Sequence, residues 1–119
     1  MKNDQKHKAI DLEYLRSIIE NDLDFEKELF SIFSENAHRN MVKMEGAIKS
    51  GDNNSWYMAA HAFKGAAASI GAFELSNILE YAQKHPEDNA AQKNEIIDKV
   101  RDQFRLVLDF FNEDLLGGK

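Results

Sequence analysis

The chain has 119 residues, 43% of them apolar, with 15 basic against 21 acidic side chains for a net charge of −6. That length holds one domain with a single core and is too short for two. No basic stripe marks a nucleic-acid binder, no apolar run reaches the length of a membrane span, and no cysteine is present to form a disulfide.

Residues 1–10 read as a flexible N-terminus, polar over its first eight positions and without the apolar core of a signal peptide. Asp11 can cap a short helix running to about Glu20, with Leu12, Leu15, Ile18 and Ile19 on its apolar face. Asn21-Asp22-Leu23-Asp24 makes a turn and a second cap. A long helix follows to about Ser50, carrying Phe25, Leu29, Ile32, Phe33, Ala37, Met41, Met44 and Ile48 at three- and four-residue steps. Gly51 is placed to end it. Asp52, Asn53 or Asn54 can cap the next helix, which Gly71 closes. From Phe73 to Lys84 runs another helix, burying Leu75, Ile78, Leu79 and Ala82. His85-Pro86-Glu87-Asp88-Asn89 breaks it, since proline cannot continue a helix without losing a hydrogen bond. The last helix runs from about Ala90 to Leu115, with Ile97, Val100, Phe104, Val107, Leu108, Phe111 and Leu115 on one stripe, and 117–119 is tail.

One proline, six glycines and no strand-like alternation make the class all-α. Four amphipathic helices on short loops predict an up-down-up-down antiparallel four-helix bundle over 11–116, with the short additional N-terminal helix covering one end. The expectation is a cytoplasmic, free-standing protein without membrane attachment, and nothing demands more than a monomer.

The stretch from Ala59 to Gly71 holds strong helix formers and no β-branched residue before Ile70. At about 100° per residue, Trp56, Phe63 and Ile70 fall within roughly 40° of one another and form a core-facing seam. His61 sits nearly opposite, with Lys64, Gly65 and Ala68 as its neighbours at i+3, i+4 and i+7. Glycine inside a helix costs about 0.5–1 kcal/mol relative to alanine, so Gly65 reads as clearance for another surface to approach the imidazole. Tyr57 and Met58 lie one turn earlier on the same outer side, with Ala62 nearby, and suggest a small apolar docking patch that Ala68 extends.

His61-x-x-Lys64-Gly65, preceded by Ala60 and followed by Ser69-Ile70-Gly71-Ala72, resembles the signature of histidine phosphotransfer (HPt) domains, helical bundles that carry a phosphoryl group between receiver domains in two-component phosphorelays. The resemblance spans Asp11 to Gln83, with Gly51-Asp52 as a similar lead-in; the final helix matches only as an amphipathic helix. It departs at Ala62 and at Ala66-Ala67, where members often carry hydroxyl residues. The resemblance implies that His61 is the phosphoacceptor at Nε2, that Lys64 compensates charge on the phosphoryl oxygens, and that Gly65 leaves room for the partner. It also implies that Gln83, on the facing helix, hydrogen-bonds the imidazole and sets its orientation. The partners implied are response-regulator receiver domains and a hybrid sensor histidine kinase. No cofactor is implied for this chain, and Mg²⁺ belongs to the partner receiver.

Imidazole suits such chemistry because, as a residue type, much of it is an unprotonated nucleophile near neutral pH. No glycine-rich nucleotide loop is present, so the chain is expected to be no enzyme with its own ATP site. Two other classes compete. A non-catalytic adaptor would not need Lys64 and Gly65 beside His61. A metal-binding bundle is opposed by the ligand spacing, since His38 and His61 lack a second ligand at i+3 or i+4. His7, His38 and His85 read as ordinary surface residues.

Overall fold

The computed structural model describes residues 9–20 and 22–112. Among them the chain is helical without any strand, in the order α1 (Leu12–Ile19), α2 (Leu23–Ser50), α3 (Asn53–Ser69), α4 (Phe73–Lys84) and α5 (Ala90–Asp109). The all-α class therefore holds. The expected helix end at Leu115 and the 117–119 tail lie outside the described residues.

Four of the five helices start on a side chain that takes an orphan backbone N–H. Asp11 accepts from Tyr14 at 3.1 Å, Asp22 from Phe25 at 3.0 Å and Asp52 from Ser55 at 3.0 Å. Asn89 accepts from Gln92 at 2.8 Å, and the Gln92 side chain returns a bond from the Asn89 N–H at 2.9 Å, a capping box. Each cap stabilises its helix by about 1 kcal/mol. Among the three candidates before α3, Asp52 is the cap, and the two bonds from Ser55 hold its carboxyl below the ordinary range.

Glycine ends α2 and closes the turn after α3. Gly51 has φ 72° and donates to the Ala47 carbonyl at 2.9 Å. Gly71 has φ 83° and donates to Ala68 at 3.1 Å, while Ala72 donates to Ala67 at 2.9 Å. This pair of bonds is a Schellman closure, which needs a residue tolerant of the left-handed region. Helix α4 follows directly, with Ala72 at its N-cap and no side-chain capping bond.

The core runs through Trp56, Phe63 and Ile70 with Leu75, Leu79 and Ala82 of α4, Met44 of α2 and Ile97 and Val100 of α5, all fully buried. Fully burying side chains of this kind stabilises by about 1.5–3 kcal/mol each. Trp56 Nε1–H donates to the Ala82 carbonyl at 2.9 Å, and Ser76 Oγ–H donates to the Lys64 carbonyl at 3.4 Å. As α3 advances from 56 to 64, its partners on α4 recede from 82 to 76, so the two helices run antiparallel. Phe30 against Phe111 at 4.9 Å and Phe33 against Phe104 at 5.9 Å tie α2 to the end of α5, and the Glu45–Arg101 ion pair ties them again further along. The short helix α1 covers the α3–α4 turn. The Asp11 N–H donates to the Gly71 carbonyl at 2.8 Å, and the Tyr14 ring lies 5.4 Å from that of Phe73.

Three details differ from the sequence expectation. Ala9 and Ile10, placed in the flexible N-terminus, are fully buried. Phe25 and Ile32, placed in the core, are 40% and 57% exposed, while Glu26 is buried. The buried line of α2 runs Glu26, Phe33, Ala37, Met41 and Met44, and a residue one position off such a line is turned about 100° away. Lys93 is also buried: its ammonium donates to Asn53 Oδ1 at 2.8 Å and lies 5.1 Å from the Trp56 ring centre. The hydrogen bond and the aromatic face compensate a charge that would otherwise be costly to bury.

Candidate functional site

Helix α3 is two-sided. Trp56, Ala59, Ala60, Phe63 and Ala67 face inward and are buried. Tyr57, Met58, His61, Ala62 and Gly65 are exposed, and Lys64 and Ala68 are half-buried beside them. Seven of the eight sequence-predicted site residues thus share the outer part of one helix. Tyr57 stands one turn before His61 with its ring nearly parallel to the imidazole, 6.2 Å between centres and 11° between planes.

Nothing among the described residues explains Gly65. A Cβ at this position would meet no atom within 4 Å beyond its own stretch of helix, so packing does not require glycine there. Gly71, six residues on, is the contrary case: a Cβ would lie 3.0 Å from the Tyr14 ring and 3.2 Å from the Asp11 carbonyl oxygen.

The eighth residue, Gln83, stands apart. It is half-buried and follows Ala82, whose carbonyl binds Trp56, so it lies level with the start of α3, before the level of His61. No hydrogen bond joins it to the imidazole, and its Oε1 is buried without a partner.

Two features of the site were not read from the sequence. A groove of about 540 Å³ runs between α2 and α3, with Asn40, Lys43 and Gly46 on one wall and Ser55, Met58 and Ala62 on the other. Gly46, like Gly65, has no atom within 4 Å of a Cβ position. On the other flank, Glu80 of α4 bonds Lys84 at 2.9 Å. That hydrogen bond and the charge of Lys84, joined by Lys64 acting across the helix pair, hold the Glu80 carboxyl below its ordinary range against the opposing effect of burial. In the sequence Glu80 and Lys84 are an ordinary i, i+4 surface pair. Only the helix register brings Lys64 into their field. Among the described residues no group of three or more His, Cys, Asp or Glu side chains is arranged to hold a metal ion, and no helix is long and apolar enough to cross a membrane.

An exposed imidazole, a neighbouring cation and an open glycine on the outer face of a buried-seam helix can receive a group from a macromolecular donor. A family model for the Hpt domain matches residues 28–109, taking in most of α2 and all of α3, α4 and α5. The chain belongs to the Hpt domain family. Hpt domains are helical bundles that serve histidine phosphotransfer in two-component phosphorelays, with receiver domains and kinases as partners. The match includes the final helix, which the sequence motif alone did not reach, and leaves α1 outside. Comparison with curated proteins and with solved structures yields no match.

Proposed function

We propose that this Hpt domain accepts a phosphoryl group on His61 from the aspartate of one receiver domain and passes it reversibly to another. In the accepting step the Nε2 lone pair attacks phosphorus, the P–O bond to the aspartyl carboxylate breaks, and the carboxylate leaves with that electron pair. The imidazole proton stays on Nδ1. The reverse step breaks the N–P bond and returns the lone pair to Nε2.

One observation carries this reading: His61 stands exposed beside Lys64 and Gly65, on a helix whose opposite side is locked into the core. A rigid element presents the nucleophile, so little ordering remains to be done when a partner arrives. Lys64 pairs with the phosphoryl oxygens as they arrive. Gly65 leaves the receiver room to bring its acyl phosphate into line, which agrees with the open space around it. Gln83 is assigned to take the Nδ1–H once the phosphoryl group is on Nε2; its unpartnered Oε1 is an acceptor with nothing else to do. Tyr57, Met58, Ala62 and Ala68 form the docking patch around the imidazole.

The same reading gives a monomeric cytoplasmic carrier, an up-down-up-down bundle of α2 to α5 without an ATP site. It receives phosphoryl groups from a hybrid sensor histidine kinase through that protein's receiver, and the Mg²⁺ required is held by the receiver. The test is phosphotransfer from a phosphorylated receiver domain to the wild-type chain and to His61→Gln, followed by intact mass at neutral pH. One phosphoryl adduct on the wild type and none on the variant is the expected result. Binding of receivers without any adduct would replace this reading with that of an adaptor.

A further inference from the structure

Glu80 faces the site from α4. The Ser76 hydroxyl donates to the Lys64 carbonyl at 3.4 Å, which sets the register of α4 against α3. Glu80 follows Ser76 by four residues and so lies on the same face of α4, one turn further along. Because the helices are antiparallel, one turn forward from Ser76 corresponds to one turn back from Lys64, the level of His61. A carboxylate therefore stands across the helix pair from the imidazole. Lys84 bonds it at 2.9 Å on its own helix, and the charge of Lys64 on α3 reaches it as a weaker influence. Among the described residues Lys64 makes no ion pair within 4 Å, so its ammonium is not committed to Glu80.

Building on the phosphoacceptor role of His61, we propose that Glu80 is a positioning residue that sets how firmly this protein holds its phosphoryl group. Before transfer its carboxylate competes for Lys64. After transfer it faces a phosphoryl dianion on Nε2 that needs the same ammonium, and like charges at close range repel. Both effects weaken the phosphohistidine relative to the receiver aspartyl phosphate and tilt the exchange toward passing the group on. Lys84 tempers this by drawing the carboxylate along α4 and neutralising part of its charge. Glu80 makes and breaks no bond to the phosphoryl group; it acts through Lys64 and through the field.

A plain surface role for the Glu80–Lys84 pair makes a different prediction. Removing either partner of an i, i+4 pair would then cost the same small stability and leave the phosphoryl equilibrium alone. Under the proposal the two removals have opposite signs.

The experiment mixes the full chain with a receiver domain phosphorylated by acetyl phosphate in Mg²⁺, and reads the phosphoryl distribution at equilibrium by intact mass. Glu80→Gln is expected to shift the distribution toward His61 by about two- to fivefold, the size of an exposed pairwise interaction. Lys84→Gln is expected to shift it toward the receiver. Lys64→Gln should remove the part of the Glu80→Gln effect that acts through Lys64 and leave the part due to direct repulsion, and 1 M salt should shrink what remains. A wild-type chain that is phosphorylated on His61 while Glu80→Gln and Lys84→Gln leave the distribution unchanged, or move it the same way, overturns the role of Glu80 alone. A wild-type chain that takes no phosphoryl group overturns the reading of His61, and the role of Glu80 falls with it.

Discussion

On its inner side α3 presents Trp56 and Phe63, with Ile70 at its C-terminal cap, each fully buried; on its outer side it presents Tyr57, Met58, His61 and Gly65, all exposed. The inner residues are explained by the core they enter together with Leu75, Leu79, Met44, Ile97 and Val100, and by the Ala82 carbonyl that Trp56 binds. The outer residues are not. Among the described residues no packing demand selects a glycine at 65, and no hydrogen bond engages the His61 ring. A side of a helix that the fold does not need can be composed for a partner. That is why the chemistry and the stability of this domain should separate by mutation.

The largest separation is expected between Phe63 and His61. Phe63→Ala empties a fully buried site and should lose about 3–5 kcal/mol in denaturant unfolding. His61→Gln should stay within about 0.5 kcal/mol of wild type while losing all phosphoryl uptake. A His61 variant that unfolds like the Phe63 one would erase the distinction between the two sides.

The two glycines sharpen the comparison at smaller scale. Gly71→Ala puts a side chain at φ 83° against Tyr14 and the Asp11 carbonyl, and should destabilise by about 1–3 kcal/mol. Gly65→Ala meets open space in mid-helix and should stabilise by about 0.5–1 kcal/mol, with slower phosphotransfer because the approach to His61 narrows. Thermal melts and transfer rates read the two together. If Gly65→Ala were destabilising, the clearance argument would lose its basis.

The smallest effect concerns Glu26, far from the site. Burial raises its carboxyl above the ordinary value of 4.5, and its Oε2 has no hydrogen-bond partner. Such an acid keeps its proton longer folded than unfolded. The stability it contributes is therefore present below 4.5 and lost as pH rises through the folded value. Glu26→Gln should raise the denaturant midpoint at pH 7 and converge with wild type at pH 4. Equal midpoints at both pH values would show that the carboxyl is well solvated.

Much of this was legible in the sequence because the interactions involved are local. Asp11, Asp22 and Gly51 act on backbone groups within a few residues, and Gly71 closes a turn on Ala67 and Ala68, so composition reveals them. The seam of Trp56, Phe63 and Ile70 repeats every seven residues, which fixes the opposite placement of His61 and Gly65. What could not be read depends on the register between helices. Buried Lys93 has its hydrogen-bond acceptor in Asn53, 40 positions away. Glu80 gains its relation to Lys64 only because Ser76 meets the Lys64 carbonyl. In the first half of α2, apolar residues lie on two adjacent lines, and only packing chooses Phe33 over Ile32. Gln83 sits on the expected helix, but its side chain does not reach the imidazole here.

The most direct test of the central claim is site mapping. The protein would be loaded by a phosphorylated receiver, digested at neutral pH and fragmented to locate the phosphoryl group among His7, His38, His61 and His85. The account predicts a single acid-labile, base-stable phosphoryl group, all of it on His61. Phosphoryl on another histidine, or spread over several, would contradict it.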